Sequence, residues 1–224
     1  MASSTEKIQK FVSRAGICSR RKCEEFIREG KIKINGRNAK IGDRVSDTDK
    51  IYFRGKRIVV KNALAYYVFY KPRGVISSMD SRQGRSIKNF IEDIAEKVYP
   101  VGRLDKESEG LILLTNDGEW ANKIMHPGQS HEKEYVVRTD QPIEREMLED
   151  FKRGLKINGV RLRPVRSKNI QDYQVNLILK QGINRQIRRM FEKYGINIVF
   201  LKRIRIDKYK LGNLNPGKYK KVSK

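Results

Sequence analysis

The order of strand and helix patterns after about residue 63 is the strongest constraint on the fold. Strand patterns are short apolar or alternating runs, and helix patterns place apolar side chains on one face. The strand patterns lie at 64–70, 110–115, 133–138, 173–180 and 196–206, and the helix patterns at 86–96, 117–125, 142–153 and 183–194. They alternate without the strict crossover rhythm of a doubly wound sheet. The sequence therefore predicts an α+β fold with a largely antiparallel sheet.

Residues 1 to about 62 predict a small separate unit with two helices and a short sheet. The first helix carries Ile8, Phe11, Val12 and Ala15 on one face and ends at Gly16. Ser19 is suited to cap the second helix, which Gly30 ends. The period then changes to two, and Asn35-Gly36 indicates a hairpin. We expect the basic residues 54–62 to link this unit to a second domain spanning residues 63–224.

The charge of the chain points to a polyanionic partner. Its 50 Lys and Arg residues face 26 Asp and Glu residues, for a net charge of +24. Nucleic acid is the first candidate for such a partner, and an anionic membrane is the competing one. No apolar run approaches the ~18 residues of a spanning helix, and no signal peptide is found. We therefore expect a cytoplasmic, RNA-binding protein without membrane contact.

Two cysteines and two histidines are too few, and too poorly spaced, for a structural zinc site. We therefore expect no metal site built from these residues. Cys18 and Cys23 are expected to be a packed thiol and a capping neighbour in a reducing compartment.

One carboxylate stands out as a candidate for chemistry. Asp105 lies in a polar loop between the entry Pro100-Val101-Gly102 and an apolar strand. A loop acid between rigid neighbours is a usual home for a catalytic group, but a loop aspartate is more often a turn former. The residues alone leave both interpretations open.

Four short motifs carry a family resemblance. They are Lys71-Pro72-Arg73-Gly74, Gly102-Arg103-Leu104-Asp105 with the following run to Gly118, Lys133-Glu134-Tyr135-Val136-Val137, and Gln181 to Met190. In this order they resemble the RNA pseudouridine synthases of the RsuA/RluB/RluE/RluF family, and most of all the RluF type, which acts on large-subunit ribosomal RNA. Residues 6–53 resemble the S4 RNA-binding module. Residues 138–169 match no motif.

The resemblance implies a small S4-like α/β module followed by a pseudouridine-synthase catalytic domain with flanking helices. It implies isomerisation of uridine to pseudouridine without a cofactor: the base is cut from N1, turned, and rejoined through C5. Asp105 would act at C1′ or C2′ of the flipped nucleotide, by a covalent or a glycal route. Arg188 would be its counter-ion, and Tyr135 would stack on the uracil and help to move a proton.

The resemblance and the charge together also suggest RNA-binding residues. In the first unit these are Arg20, Arg21 and Lys22, and in the second they are Lys71, Arg73, Arg103, Arg185, Gln186 and Arg189. We expect a monomer that acts on ribosomal RNA of the large subunit, with transfer RNA as a second candidate. The alternatives are a catalytically inactive S4-type RNA-binding or ribosome-associated factor, and an RNA glycosylase or nuclease that uses the same carboxylate.

Overall fold

A computed structural model describes residues 5–60, 63–126 and 128–224. The chain divides into two compact units, Met1–Leu64 and Ala65–Lys224. The domain boundary predicted between residues 62 and 63 stays a prediction, because residues 61 and 62 lie outside the described residues. Among the described residues, no helix is long and apolar enough to cross a bilayer.

The first unit contains two helices and short strands. In chain order these are β1 (Glu6–Lys7), α1 (Ile8–Arg14), α2 (Arg20–Arg28), β2 (Ile32–Ile34), β3 (Arg37–Asn38), β4 (Arg44–Val45), β5 (Ile51–Phe53) and β6 (Lys56–Arg57). Four of the strands form one sheet in the order β3-β2-β5-β6, and β1 pairs with β4. Because β6 pairs with β5 and Ile58 is buried, the start of the predicted linker belongs to the folded unit instead.

Local sequence signals explain the first unit. The Ser19 hydroxyl accepts a hydrogen bond from the Lys22 backbone N–H at 3.3 Å and caps α2. Asn35 and Gly36 both have positive φ, as a type I′ turn between β2 and β3 requires. Cys23 is fully buried in the core, and burial raises the pKa of its thiol to about 12. These features agree with the sequence predictions of a capped helix, a tight hairpin and a packed thiol.

The second unit is built on one large sheet. Its elements are β7 (Tyr66–Lys71), a 3-10 helix (Ile87–Phe90), β8 (Tyr99–Val101), β9 (Glu109–Thr115), α3 (Gly118–Met125), β10 (Lys133–Thr139), α4 (Arg145–Arg153), β11 (Lys156–Ile157), β12 (Val160–Arg161), β13 (Arg166–Gln171), β14 (Gln174–Leu179), α5 (Gln186–Glu192), β15 (Ile198–Ile206), β16 (Tyr209–Lys210) and β17 (Tyr219–Lys221). The strand order is β13-β14-β10-β15-β9-β7-β17, with β8 beside β9 and β16 beside β15.

The sheet is mixed and mostly antiparallel, which confirms the predicted fold class. Strands β9 and β15 run parallel, and the other strand pairs described for this sheet are antiparallel. Strand β7 is buried on both faces, since Tyr66, Val68 and Tyr70 enter one core cluster while Tyr67 and Phe69 enter another. Helices α4 and α5 cover the other half of the sheet through a third cluster.

One sequence prediction for this unit was wrong, and one strand was missed. The helix expected over 86–96 is a single 3-10 turn, because Ser86 and Asn89 form a capping box and the following residues leave helical geometry. The apolar residues whose spacing predicted a helix are buried all the same, as Ile87 and Ile91 show. Strand β13 was not predicted, because it is polar and mostly exposed at the edge of the sheet.

Candidate active site

The candidate site centres on a row of residues that crosses four adjacent strands. The strand register places Tyr135 of β10 beside Arg203 of β15, Arg203 beside Gly110 of β9, and Gly110 beside Lys71 of β7. Three of the four predicted motifs therefore meet in one line, although they are far apart in the chain. Asp105 precedes β9 in the loop that leads into this row.

Gly110 allows the two parallel strands to approach closely. A Cβ atom built on Gly110 would lie 2.2 Å from the carbonyl oxygen of Arg203, and the residue has a φ of +108°. No other residue type fits this contact without moving the backbone. The glycine in the motif Ser108-Glu109-Gly110 is therefore needed to hold β9 against β15.

The Asp105 loop is clamped on its N-terminal side by Ser77. The Ser77 hydroxyl donates to the Leu104 carbonyl at 2.7 Å and accepts from the Leu104 backbone N–H at 3.0 Å. Both Ser77 and Leu104 are buried, so these hydrogen bonds are shielded from water. The residue directly before Asp105 is thus fixed at both of its backbone polar groups.

Lys71 clamps the other side of the loop. Its ammonium group donates to the carbonyls of Lys106 at 3.3 Å, Val75 at 2.7 Å and Pro72 at 2.8 Å, and the Gly74 N–H also donates to Lys106. The prediction that Lys71 contacts RNA phosphate was wrong, because its side chain is 0% exposed and its donors are used by backbone carbonyls. Burial lowers the pKa of Lys71 to about 8, while nearby carboxylates, including Asp105, act in the opposite direction.

Asp105 itself is half-buried. Its backbone carbonyl accepts from the Ser108 N–H at 3.1 Å, so the residue also begins a turn. Within the described part of the chain, no hydrogen bond or ion pair engages its side chain. The loop is therefore rigid while the carboxylate stays available, as a group that must act on a bound nucleotide requires.

Arg188 of α5 reaches the end of the same loop. Its Nη2 lies 3.5 Å from the hydroxyl of Ser108, and its Nη1 donates to the Ile198 carbonyl at 3.2 Å. Burial, and after it the charge of Arg185, lowers the pKa of Arg188, while Asp105 opposes the shift. The direct ion pair expected with Asp105 is not formed among the described residues. Ser108 instead holds the guanidinium within the electrostatic reach of the carboxylate.

Tyr135 is half-buried on β10 and contacts a buried arginine. Its ring packs against the core cluster that contains Leu104, the residue before Asp105. Its hydroxyl lies 3.4 Å from Nη1 of Arg203. The fold thus brings Tyr135 and the Asp105 loop to the same cluster. After Lys71 and Arg188, Arg203 is the third cation of the site, and it lies beside Tyr135.

The other RNA-binding candidates differ in exposure. Arg73, Arg103 and Arg185 are exposed, and Arg189 is half-buried. Gln186 is buried, and its side-chain oxygen accepts from the Ile183 N–H at 3.3 Å, so the prediction that it contacts RNA was wrong for this structure. In the first unit, Arg20, Arg21 and Lys22 are exposed in the first turn of α2, where a phosphate would also meet free backbone N–H groups.

Sequence reasoning missed Ser77 and Arg203. Ser77 lies between motifs and has no distinguishing neighbours, so nothing in the sequence signals it. Arg203 did have a signal, because it follows the core residue Leu201 by two positions and therefore points to the same face of β15.

Comparison with known proteins identifies the family. Residues 65–193 match the RNA pseudouridylate synthase family, and residues 6–51 match the S4 domain. The chain belongs to the RNA pseudouridylate synthase family. It is therefore an RNA pseudouridine synthase, an enzyme that isomerises uridine to pseudouridine, with an S4 domain in its first unit.

Individual relatives agree with this assignment. A ribosomal large subunit pseudouridine synthase B from Bacillus subtilis (strain 168) is 40% identical over 206 residues, which cover 88% of this chain and 84% of the relative. A dual-specificity RNA pseudouridine synthase RluF from Escherichia coli (strain K12) is 36% identical over 225 residues, or 100% of this chain and 77% of the relative. A crystal structure of a pseudouridylate synthase matches with a TM-score of 0.71 and 30% identity, covering 97% of this chain and 96% of that one.

These findings confirm the pseudouridine synthase family, the S4 domain and the enzymatic class that the motifs predicted. They leave the roles of individual residues as predictions.

Proposed function

We propose that this pseudouridine synthase isomerises a uridine of large-subunit ribosomal RNA with Asp105 as the catalytic carboxylate. The observation that carries the proposal is the Asp105 loop, which is clamped by Ser77 and Lys71 while its carboxylate remains free. The cations Lys71 and Arg188 interact electrostatically with this carboxylate. A fixed and unengaged acid is what attack on a ribose needs.

The reaction balances without an added reagent. The bond between C1′ and N1 breaks, the base turns, C5 bonds to C1′, the proton of C5 is lost and N1 gains a proton. Asp105 either attacks C1′ directly and is displaced when C5 bonds to that carbon, or it removes the C2′ proton to give a glycal and returns the proton when C5 bonds to C1′. Both routes need a carboxylate that can act as nucleophile or base. Tyr135 stacks on the flipped base and takes part in proton transfer.

The substrate follows from the relatives and the charge. The Bacillus subtilis relative is named for the large ribosomal subunit, which supports ribosomal RNA as the substrate. Transfer RNA stays the second candidate. The Escherichia coli relative is named a dual-specificity RNA pseudouridine synthase, which supports more than one target for this chain. Exposed cations bind the phosphates and position the RNA: Arg20, Arg21 and Lys22 in the first unit, and Arg73, Arg103 and Arg185 in the second, together with the half-buried Arg189. We further propose a cytoplasmic monomer.

The test uses ribosomal RNA from cells in which the gene for this chain is deleted. The purified protein is incubated with the RNA, and pseudouridine is mapped by carbodiimide-dependent primer extension. We expect one new stop in large-subunit RNA, and a loss of roughly 10³-fold or more in rate for Asp105→Asn. Transfer RNA from the same cells is tested in parallel.

A matched control distinguishes catalysis from general charge loss. Glu107 is an exposed acid two residues away whose carboxylate lies 3.3 Å from Nε of Arg73. Glu107→Gln should stay within about threefold of the wild type, because surface ion pairs contribute little. Absence of any new stop with the wild-type protein, or full activity of Asp105→Asn, would rule the proposal out.

A further inference from the structure

Arg203 is buried at the centre of the row and has no carboxylate partner. Its side chain is 3% exposed. Its Nε donates to the Leu111 carbonyl at 2.7 Å and its Nη1 to the Tyr135 hydroxyl at 3.4 Å, while its Nη2 is buried without a hydrogen-bond partner. No ion pair with Arg203 occurs among the residues that the structure describes.

A buried guanidinium of this kind is unfavourable for stability. A charge removed from water requires a partner of opposite sign, and a donor left without an acceptor adds a further cost. Lys71 adds to the electrostatic cost of burying Arg203, because the two side chains repel each other as like charges. An apolar side chain would fill the same position at lower cost, so the energetics of folding do not account for an arginine here.

The direction of the hydrogen bond to Tyr135 suggests a role. A guanidinium only donates hydrogen bonds, so the Tyr135 oxygen must accept from Arg203. The phenolic proton is then left to point away from Arg203 and to be donated to another acceptor. The Arg203 guanidinium also lies 5.9 Å from the centre of the Tyr135 ring, so it contacts the side chain near its polar end.

The position of Arg203 is itself fixed. Its Nε is held by the carbonyl of Leu111 on the neighbouring strand β9. Its backbone is in close contact with Gly110, which leaves no room for β15 to slide. A register irregularity between Glu134 and Tyr135 in the pairing of β10 with β15 lies beside it. Arg203 is thus held in place by the sheet, and its contact with the Tyr135 hydroxyl fixes the position of that hydroxyl.

We propose that Arg203 is a positioning residue for Tyr135: it fixes the ring and orients the hydroxyl as a hydrogen-bond donor toward the bound nucleotide. This inference rests on the proposed function, since it assumes that Tyr135 acts on the flipped uridine. Arg203 acts through Tyr135 and need not touch the RNA itself.

The experiment is a double-mutant cycle under single-turnover conditions. It compares the wild type, Arg203→Gln, Tyr135→Phe and the double variant in the full-length chain. Arg203→Gln should lower the maximal rate of pseudouridine formation by about 100-fold, because a misplaced group lowers the chemical rate. The enzyme concentration that gives half of the maximal rate should change by less than about threefold. In the Tyr135→Phe background, Arg203→Gln should lower the rate of pseudouridine formation by less than about threefold, because the hydroxyl that Arg203 orients is already absent.

Two further variants distinguish a loss of Tyr135 positioning from a general loss of structure. Arg203→Lys keeps the charge and a donor, and it should recover at least about tenfold of the rate lost in Arg203→Gln. Arg205→Gln changes an arginine on the same strand whose Nε binds Glu134 at 2.9 Å, and it should stay within about threefold of the wild type. Should Arg203→Gln fail to fold, Arg203→Lys takes its place in the cycle.

The outcomes separate the inference from the proposed function. Independent losses that multiply in the double variant would overturn the positioning role of Arg203, while leaving Asp105 catalysis intact. No pseudouridine from the wild type would overturn the proposed function instead.

Discussion

The cations of the two units differ sharply in their surroundings. In the first unit, Arg20, Arg21 and Lys22 are exposed at the start of α2. At the centre of the second unit, Lys71 and Arg203 are buried, and the hydrogen bonds that they donate go to the protein's own atoms. The same residue types therefore serve different purposes in the two units. Exposed cations are available to phosphate, while the buried ones shape the site from within.

This difference changes how a basic motif should be interpreted. Net charge predicts an RNA partner for the whole chain, but it does not say which cations reach the RNA. Burial decides that question, as Lys71 shows: its neighbour Arg73 is exposed while Lys71 is not. Substitutions in the buried and the exposed group should therefore have different effects on stability and on RNA binding.

The largest expected effect is on the buried group. Lys71→Met removes the ammonium donor from the carbonyls of Pro72, Val75 and Lys106, so that the Gly74 N–H alone still holds Lys106 at this end of the Asp105 loop. We expect a loss of about 2–4 kcal/mol in the free energy of unfolding and a rate about 100-fold lower. Denaturant unfolding and the primer-extension assay measure the two effects. Arg73→Met, an exposed control, should change stability by less than about 0.5 kcal/mol.

The pH dependence of Lys71 gives a second measurement of the same contrast. Burial lowers the pKa of Lys71 to about 8 in the folded protein, below its ordinary value of 10.5. Between these two pH values the unfolded chain binds more protons, so this group makes folding more favourable as the pH rises from 8 to 10.5. The stability of the wild type relative to Lys71→Met should increase by about 3 kcal/mol over this range. A flat or falling difference would show that the ammonium group is not buried.

A smaller effect is expected at Ser77. Ser77→Ala removes the hydroxyl that holds both backbone groups of Leu104, while Lys71 still holds the other end of the loop. The free energy of unfolding should fall by about 1–2 kcal/mol, and kcat should fall about tenfold at unchanged KM. Ser78→Ala is the matched control, because the Ser78 hydroxyl accepts from the Asp80 N–H and makes no hydrogen bond with Leu104 in the described part of the chain. Equal kinetics for the two variants would contradict the clamp.

The smallest effect on stability belongs to the exposed group. Replacing Arg20, Arg21 and Lys22 together by alanine should leave the free energy of unfolding within about 0.5 kcal/mol. RNA binding should weaken, and the slope of log K against log salt should become shallower by roughly two, because three phosphate contacts are lost. The control replaces the exposed lysines 7, 40 and 50. An unchanged slope in the first triple variant, or an equal change in the control, would mean that α2 does not bind RNA.

Much of the fold could be predicted because it depends on local signals. The cap at Ser19, the turn at Asn35-Gly36 and the apolar run of β9 are each specified by a few neighbouring residues, and the structure confirms them. The helix expected over 86–96 was wrong because apolar spacing alone does not distinguish a helix from a loop that buries the same side chains.

The candidate site was predicted less completely. The motifs located Asp105, Tyr135 and Arg188, whose roles stay predictions. They did not show that Lys71 and Gln186 are buried, because burial depends on strands and turns brought together by the whole fold. Arg203 and Ser77 lie outside the motifs, and they are linked to the site only through contacts between distant parts of the chain.

The position of β15 has a consequence for synthesis of the protein. β15 lies between β10 and β9, and it is the strand through which the two halves of the large sheet are joined. Arg203 and Leu111, which bond across this junction, are 92 residues apart in the chain. Contacts this distant in sequence cost loop-closure entropy and slow folding. The row from Tyr135 to Lys71 cannot form before strand β15, residues 198–206, has been synthesised.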